Sequence, residues 1–273
     1  MLFAAVTAVL LASLAVTQAR PSLGIRQTAK VISHCTVPNT AALTFDDGPF
    51  QYMYDITATL RAANVSATFF FSEYYKAVIE SDDSIFNSNA LFLLDGNNYG
   101  CIYSPENVKR VKHAYDMGHQ VASHTWSHAD LSILSLSKIS TEMSKIDQAI
   151  ERITGASPSF MRPPYGKYND RVLQVAAGRK QSIVLWDLDT GDSLGASVAE
   201  QKGQYTQVAK RHPKTVLALN HEVYESSIRD VLPHAIKQLR SSGYRLVTVA
   251  ECVGANPYQS KGKAVLRDSS WHC

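Results

Sequence analysis

Two adjacent carboxylates, Asp46 and Asp47, end the apolar run Leu43-Thr44-Phe45 and are followed at once by Gly48-Pro49. Neighbouring like charges at the end of a buried strand repel one another, and a cation or a shared proton relieves the repulsion. Further on, His124-Thr125-Trp126-Ser127-His128 sets two imidazoles at i and i+4, near neighbours on a helical turn. Taken singly, Asp47 would serve equally as a helix N-cap and the two histidines as a surface pair. Taken together, two imidazoles and one carboxylate make a three-ligand set that leaves positions open for water and substrate, as a catalytic divalent metal needs. One aspartate then ligates the cation, while the other, held nearby by that charge, stays ionised as a base.

Three further segments carry polar groups of the same kind. Arg162-Pro163-Pro164-Tyr165-Gly166 is stiff, because its two prolines fix φ and its glycine permits an unusual turn. A guanidinium on such a segment points fixedly at a carboxylate; the alternative is a structural turn carrying a surface arginine. Asp187, Asp189 and Asp192 follow another apolar run, and His221 follows 216–219. Alone, His221 reads as a satisfied core histidine.

The elements that must position these groups alternate in kind. Short apolar, β-branched or aromatic runs at 41–45, 67–71, 120–123, 159–162, 182–186, 215–219 and 245–249 predict seven strands. Helical periodicity predicts helices over 54–62, 105–117, 138–154, 169–177, 198–211 and 228–241, with Gly118, Gly155 and Gly243 as stops after three of them. Such alternation implies an α/β fold with parallel strands, either a barrel or a doubly wound sheet. No glycine-rich loop follows the first strand, which disfavours a dinucleotide-binding sheet. Every polar group named above falls at the C-terminal end of a strand, and in a parallel α/β barrel those ends share the face that carries the site.

Composition narrows the function class. The chain has 273 residues, 45% apolar, with 27 basic and 24 acidic residues and no long basic run, which speaks against nucleic acid or a membrane surface as partner. Residues 1–19 form an apolar run ending in small residues at Thr17 and Ala19 before Arg20, the pattern of a secretion signal. Four cysteines in a secreted chain predict two disulfides, and the pairing Cys35–Cys252 with Cys101–Cys273 is preferred because it ties both chain ends to the body. Asn64-Val65-Ser66 is a glycosylation sequon. Residues 256–273, ending at Cys273, read as a strap pinned by a disulfide.

In order along the chain, Thr44-Phe45-Asp46-Asp47-Gly48-Pro49, Ser123-His124-Thr125-Trp126-Ser127-His128, Arg162-Pro163-Pro164-Tyr165-Gly166, Asp187-Leu188-Asp189-Thr190-Gly191-Asp192 and Leu219-Asn220-His221 resemble the five motifs of the polysaccharide deacetylases of carbohydrate esterase family 4. The likeness covers 37–254, with 20–36 before it and 255–273 after it, and is strongest to secreted fungal members of the chitin deacetylase type. It implies a distorted (β/α)7 barrel of the NodB-homology type. It makes Asp47, His124 and His128 the ligands of a divalent metal, zinc first and cobalt as the alternative, and Asp46 the general base toward the attacking water. By the same resemblance His221 is the acid that protonates the leaving amine, Arg162 orients Asp46, and Asp192 keeps His221 protonated. A backbone N–H near Tyr165 would hold the oxyanion and Leu219 would line the pocket for the acetyl methyl. The implied enzyme is a monomer outside the cell or in its wall that removes N-acetyl groups from chitin or its oligomers. Acetylated xylan, peptidoglycan or a binding role without catalysis stand as alternatives, and an iron(II) oxygenase with the same ligand set is opposed by the base and the acid.

Two positions depart from the family pattern: Ser193 stands where many members have tryptophan, and Glu222 where aspartate is usual, the latter a change expected to be minor. A longer departure lies after the second strand, where relatives run almost directly into the Gly96-Asn97-Asn98-Tyr99-Gly100-Cys101 segment. Here residues 72–95 intervene. Codons for Ser72-Glu73-Tyr74, Ser88-Asn89 and Leu94-Asp95 can hold a splice donor, branch point and acceptor, and excision would keep the frame and leave one asparagine. A retained intron is therefore one expectation, and an inserted rim loop the other.

Overall fold

The computed structural model describes residues 28–73 and 100–273. The expected secretion signal at 1–19 lies outside the described residues, as does nearly all of the 72–95 insertion. In chain order the strands and helices are β1 (Val31–Ile32), β2 (Thr40–Gly48), α1 (Met53–Ala62), β3 (Thr68–Phe71), α2 (Pro105–Asp116), β4 (Gln120–Ser123), α3 (Leu136–Thr154), β5 (Ala156–Pro158), β6 (Phe160–Met161) and α4 (Asp170–Gly178). They continue with β7 (Ser182–Val184), β8 (Leu188–Asp189), α5 (Val198–Arg211), β9 (Thr215–His221), α6 (Leu232–Ser241), β10 (Arg245–Val247), α7 (Val249–Val253) and β11 (Tyr258–Lys261).

The main sheet has nine strands in the order β1-β7-β6-β4-β3-β2-β9-β8, with β10 pairing β2. Its pairings are parallel. The sheet curls into a half-barrel with helices packed outside, as the predicted β/α order requires. All seven predicted strands and six predicted helices are present; the short β1, β5, β8 and β11 and the one-turn α7 are additional. The stretch 245–249 is not one strand, because Thr248 caps α7: its hydroxyl accepts from Glu251 N while Glu251 accepts from Thr248 N.

The long central strand β2, TAALTFDDG, is buried along its whole length, as expected for a strand covered on both faces. Leu43, Phe45, Phe69 and Phe71 pack outward against α1, α2 and α3, joined by Ile56, Leu60, Val111, Ile146 and Ile150 in the largest core cluster. Helix α3 shows how local sequence sets an element. Ser135 caps its start by accepting from Lys138 N, and Gly155 ends it in the left-handed region at φ 77°. Only glycine fits there, since a Cβ would lie 2.4 Å from the Gly262 carbonyl oxygen of the C-terminal strap.

That strap is held at several points. β11 pairs antiparallel with β5, Trp271 is buried beside Tyr103, and disulfides join Cys101 to Cys273 and Cys35 to Cys252.

Candidate active site and metal centre

The ladder between β2 and β9 sets Asp46 opposite His221 and Thr44 opposite Leu219, so these four side chains share one end of the half-barrel. Asp47 follows with φ 69°, a left-handed conformation that a non-glycine residue adopts only at a cost. This turn aims the Asp47 carboxylate across the sheet ends toward the β4 loop. Asp47 Oδ1 lies 3.4 Å from His124 Nε2 and 3.3 Å from His128 Nε2.

The two histidines do not share a helical turn. Residues 124–130 form an irregular loop in which Thr125 and His128 both have positive φ, at 69° and 53°. The i, i+4 spacing misleads here: the loop's own folding, rather than helical pitch, brings the rings edge to face at 4.9 Å.

A divalent ion fits these residues. Asp47 Oδ1 is buried and has no hydrogen-bond partner, an orphan that costs free energy unless something positive meets it. One ligand atom from each of Asp47, His124 and His128 falls within a 4.8 Å set. His124 Nδ1 donates to the Arg162 carbonyl at 2.8 Å, which fixes the tautomer that leaves Nε2 to ligate. Burial pushes His128 down to about 4, which favours the neutral ring that a ligand needs.

Arg162 is not a surface arginine. It is fully buried, and its guanidinium lies 4.2 Å over the Phe70 ring. Nη1 donates to Asp46 Oδ1 at 2.7 Å and to Thr44 Oγ1 at 2.6 Å, while Nε and Nη2 donate to the carbonyls of Val184 and Leu185. One carboxylate oxygen of Asp46 is thereby pinned, and the other, Oδ2, faces His124 Nε2 at 3.7 Å.

On the far side of the centre, His221 Nδ1 donates to Asp192 Oδ1 at 2.7 Å, and Asp192 Oδ2 accepts from His221 N and Ser227 Oγ. Burial opposes charge on this imidazole, but the Asp192 hydrogen bond and charge, with the more distant Asp47 and Asp46, outweigh it and raise His221 from 6.5 to about 9. Because the folded value lies above the unfolded one, the stabilisation from charged His221 is full below pH 6.5 and is lost as pH rises through about 9. Asp192→Asn is accordingly expected to move the alkaline limb of any activity that needs His221 as an acid from near pH 9 toward the ordinary histidine range, read from a pH–rate profile.

Asp46, Asp47, His124, His128 and His221 open into one cavity of about 420 Å³ that Tyr165, Pro163, Trp186, Ser193, Leu194 and Leu219 also line. Tyr165, at φ 60°, sets its ring edge to face against His128 at 4.9 Å. Sequence reasoning missed Pro163, Trp186 and Leu194 as lining residues. Trp186 is the last residue of the predicted run 182–186, and its place at a strand's C-terminal end was a usable signal. Of the three aspartates after β7, Asp189 borders the cavity and Asp192 holds His221, whereas Asp187 turns away and accepts from Leu217 N. Asn64 is exposed in the turn after α1, at φ 51°.

Glu222 follows His221 directly at the end of β9. It is fully buried, its backbone N donates to the Asp46 carbonyl, and its Oε1 accepts from Phe50 N, so it braces the turn that holds Asp47. A Cβ on Gly48 would lie 2.2 Å from the Glu222 carboxyl carbon. Gly48→Ala is therefore expected to cost ~1–3 kcal/mol in denaturant unfolding, the usual penalty for overpacking.

The family model for polysaccharide deacetylase matches residues 33–180 of the chain. A chitin deacetylase of Pestalotiopsis sp is 32% identical over 241 residues, covering 85% of this chain and 70% of that protein. A probable peptidoglycan-N-acetylglucosamine deacetylase of Arthroderma benhamiae is 32% identical over 238 residues, and the match covers 85% of this chain but only 48% of that longer protein. Among solved structures, the chitin deacetylase from the fungal pathogen Colletotrichum lindemuthianum superposes with a TM-score of 0.73 at 28% identity, covering 89% of this chain and 99% of that one.

Proposed function

The chain belongs to the polysaccharide deacetylase family, hydrolases of carbon–nitrogen bonds other than peptide bonds, and from that premise we propose that it removes N-acetyl groups from chitin or chitin oligomers, releasing acetate and leaving glucosamine units. The observation that carries the proposal is that two carboxylates, Asp46 and Asp47, line one cavity while a third, Asp192, sits behind the cavity-lining His221, each with a different partner. Asp47 faces two imidazoles, Asp46 is pinned by Arg162, and Asp192 holds His221.

Asp47, His124 and His128 are assigned as ligands of a divalent metal, with zinc first for a two-imidazole, one-carboxylate set. Such an ion, when bound, polarises the acetamide carbonyl and makes water acidic enough to attack at neutral pH. Asp46 takes the proton of the attacking water through the oxygen that Arg162 leaves available. The left-handed Tyr165 places its backbone beside the cavity, where its N–H meets the negative oxygen that develops on the carbonyl. Leu219 receives the acetyl methyl. His221, kept charged by Asp192, gives its proton to the departing nitrogen, so that the product leaves as an amine.

Secretion is part of the same proposal. Two disulfides suit an oxidising compartment, and no helix among the described residues is long and apolar enough to cross a membrane. We take 37–254 as the deacetylase domain, acting as a monomer, and 72–95 as a retained intron, which a transcript read across codons 70–97 tests directly. The substrate assignment is tested by acetate release from chitin oligomers beside acetylated xylan and peptidoglycan. Release from chitin oligomers alone supports it, and release from either of the others alone overturns it.

A further inference from the structure

The loop that carries the two candidate ligand histidines holds an unfavourable backbone. Thr125 and His128 are both left-handed, and such conformations persist only where the surroundings impose them. His124 is held from the sheet, since its backbone N donates to the Phe71 carbonyl and its Nδ1 to the Arg162 carbonyl, each at 2.8 Å. His128 lies farther along the chain, well past the end of β4 at Ser123. The residue just before it, Ser127, is where the loop is gripped.

The grip comes from helix α3. Ser127 N donates to Glu142 Oε2 at 2.7 Å, and Ser127 Oγ donates to Glu142 Oε1 at 2.8 Å, so both carboxylate oxygens are taken by one residue. One turn on, Lys145 Nζ lies 5.1 Å over the Trp126 ring, and that ring also meets Tyr103. Residues three apart on a helix are neighbours, so Glu142 and Lys145 act on the loop from one side. Ile139, Met143, Ile146 and Ile150 of the same helix are buried, which makes α3 a fixed mount for both side chains. A single bond between a surface serine and a surface acid would be ordinary. Two bonds to a carboxylate, from the backbone and the side chain of one residue, set its orientation as well as its place.

We propose that Glu142 is a positioning residue of the metal centre, acting through Ser127 to hold His128 Nε2 at its place 3.3 Å from Asp47 Oδ1. The proposal rests on the metal assignment above and adds to it a residue that is neither a ligand nor part of the cavity lining. Lys145 supports the same loop through the weaker contact to Trp126. Groups that orient metal ligands from behind change metal affinity by about 10- to 100-fold when they are lost.

The test compares Glu142→Ala and Glu142→Gln with the parent. Zinc affinity is measured against a competing chromophoric chelator, and stability by denaturant unfolding of the metal-free proteins. Glutamine keeps an oxygen for Ser127 N and offers an N–H to Ser127 Oγ, but carries no charge, so it separates geometry from electrostatic field. Glu142→Ala is expected to bind zinc about tenfold more weakly and Glu142→Gln to stay within about threefold of the parent, with similar unfolding midpoints for all three metal-free proteins. Glu151→Ala, which removes an exposed acid from the last turn of α3, is expected to match the parent. Unchanged zinc affinity in Glu142→Ala overturns the proposal. An equal loss in both Glu142 variants also overturns it, because the carboxylate then acts by its charge and not by its bonds. A loss that only follows a fall in metal-free stability overturns it too, since Glu142 then holds the fold and not the ligand. A parent that binds no zinc removes the metal assignment and this proposal with it. A parent that binds zinc but releases no acetate fails the deacetylase reading alone, and the zinc comparison still decides the role of Glu142.

Discussion

Arg162→Met is expected to lower stability by ~3–5 kcal/mol and to reduce turnover by about 10- to 100-fold in whatever fraction remains folded. The guanidinium is fully buried and serves Asp46, Thr44 and the carbonyls of Val184 and Leu185 at once. Methionine fills the volume but leaves the Asp46 carboxylate, itself only 2% exposed, as an uncompensated buried charge. Breaking one half of a buried pair is costly for that reason, even where replacing both halves is not. Arg162→Lys is not expected to rescue, because a single ammonium cannot reach four acceptors that the planar fork meets together. Denaturant unfolding and kcat at saturating substrate read the two effects separately.

Asp46→Asn is expected to reduce kcat by roughly 10²–10⁴, the range for loss of a positioned general base. Stability should fall as well: the amide oxygen still accepts from Arg162 Nη1, but the buried guanidinium loses its counter-charge and keeps only the neutral acceptors Thr44, Val184 and Leu185. Metal binding should survive, since Asp46 is outside the assigned ligand set. Asp47→Asn is the matched contrast: the adjacent residue has the same chemistry but faces His124 and His128, so its loss should appear as weakened metal affinity. Metal titration of the two variants distinguishes base from ligand, which kcat alone would not.

The strand–helix order and the side-chain chemistry were legible in the sequence because each rests on short-range pattern. Apolar runs, helical periodicity and glycine stops located seven strands and six helices, and the polar residues closing the runs marked one face. What escaped depends on distant partners or on backbone angles that residue type does not announce. β1 is only Val31–Ile32 and exists because it pairs with β7 some hundred and fifty residues on. Asp46 and Asp47 lie within β2 rather than after it, since β9 extends the ladder to His221. The left-handed conformations of Asp47, Thr125, His128 and Tyr165 set the geometry of the centre, and no glycine marks any of them. The Thr248–Glu251 capping box, by contrast, was present as a sequence signal and separates β10 from α7.

On the function proposed above, one cavity performs metal-dependent removal of acetyl groups from a chitin-type amide. The most direct test is acetate release from chitin oligomers by the purified mature chain, with 72–95 replaced by a single asparagine, measured before chelation, after chelation and after zinc is restored. Release is expected to disappear with the chelator and to return with the metal. Release that persists unchanged in a protein shown to be free of metal would contradict that function.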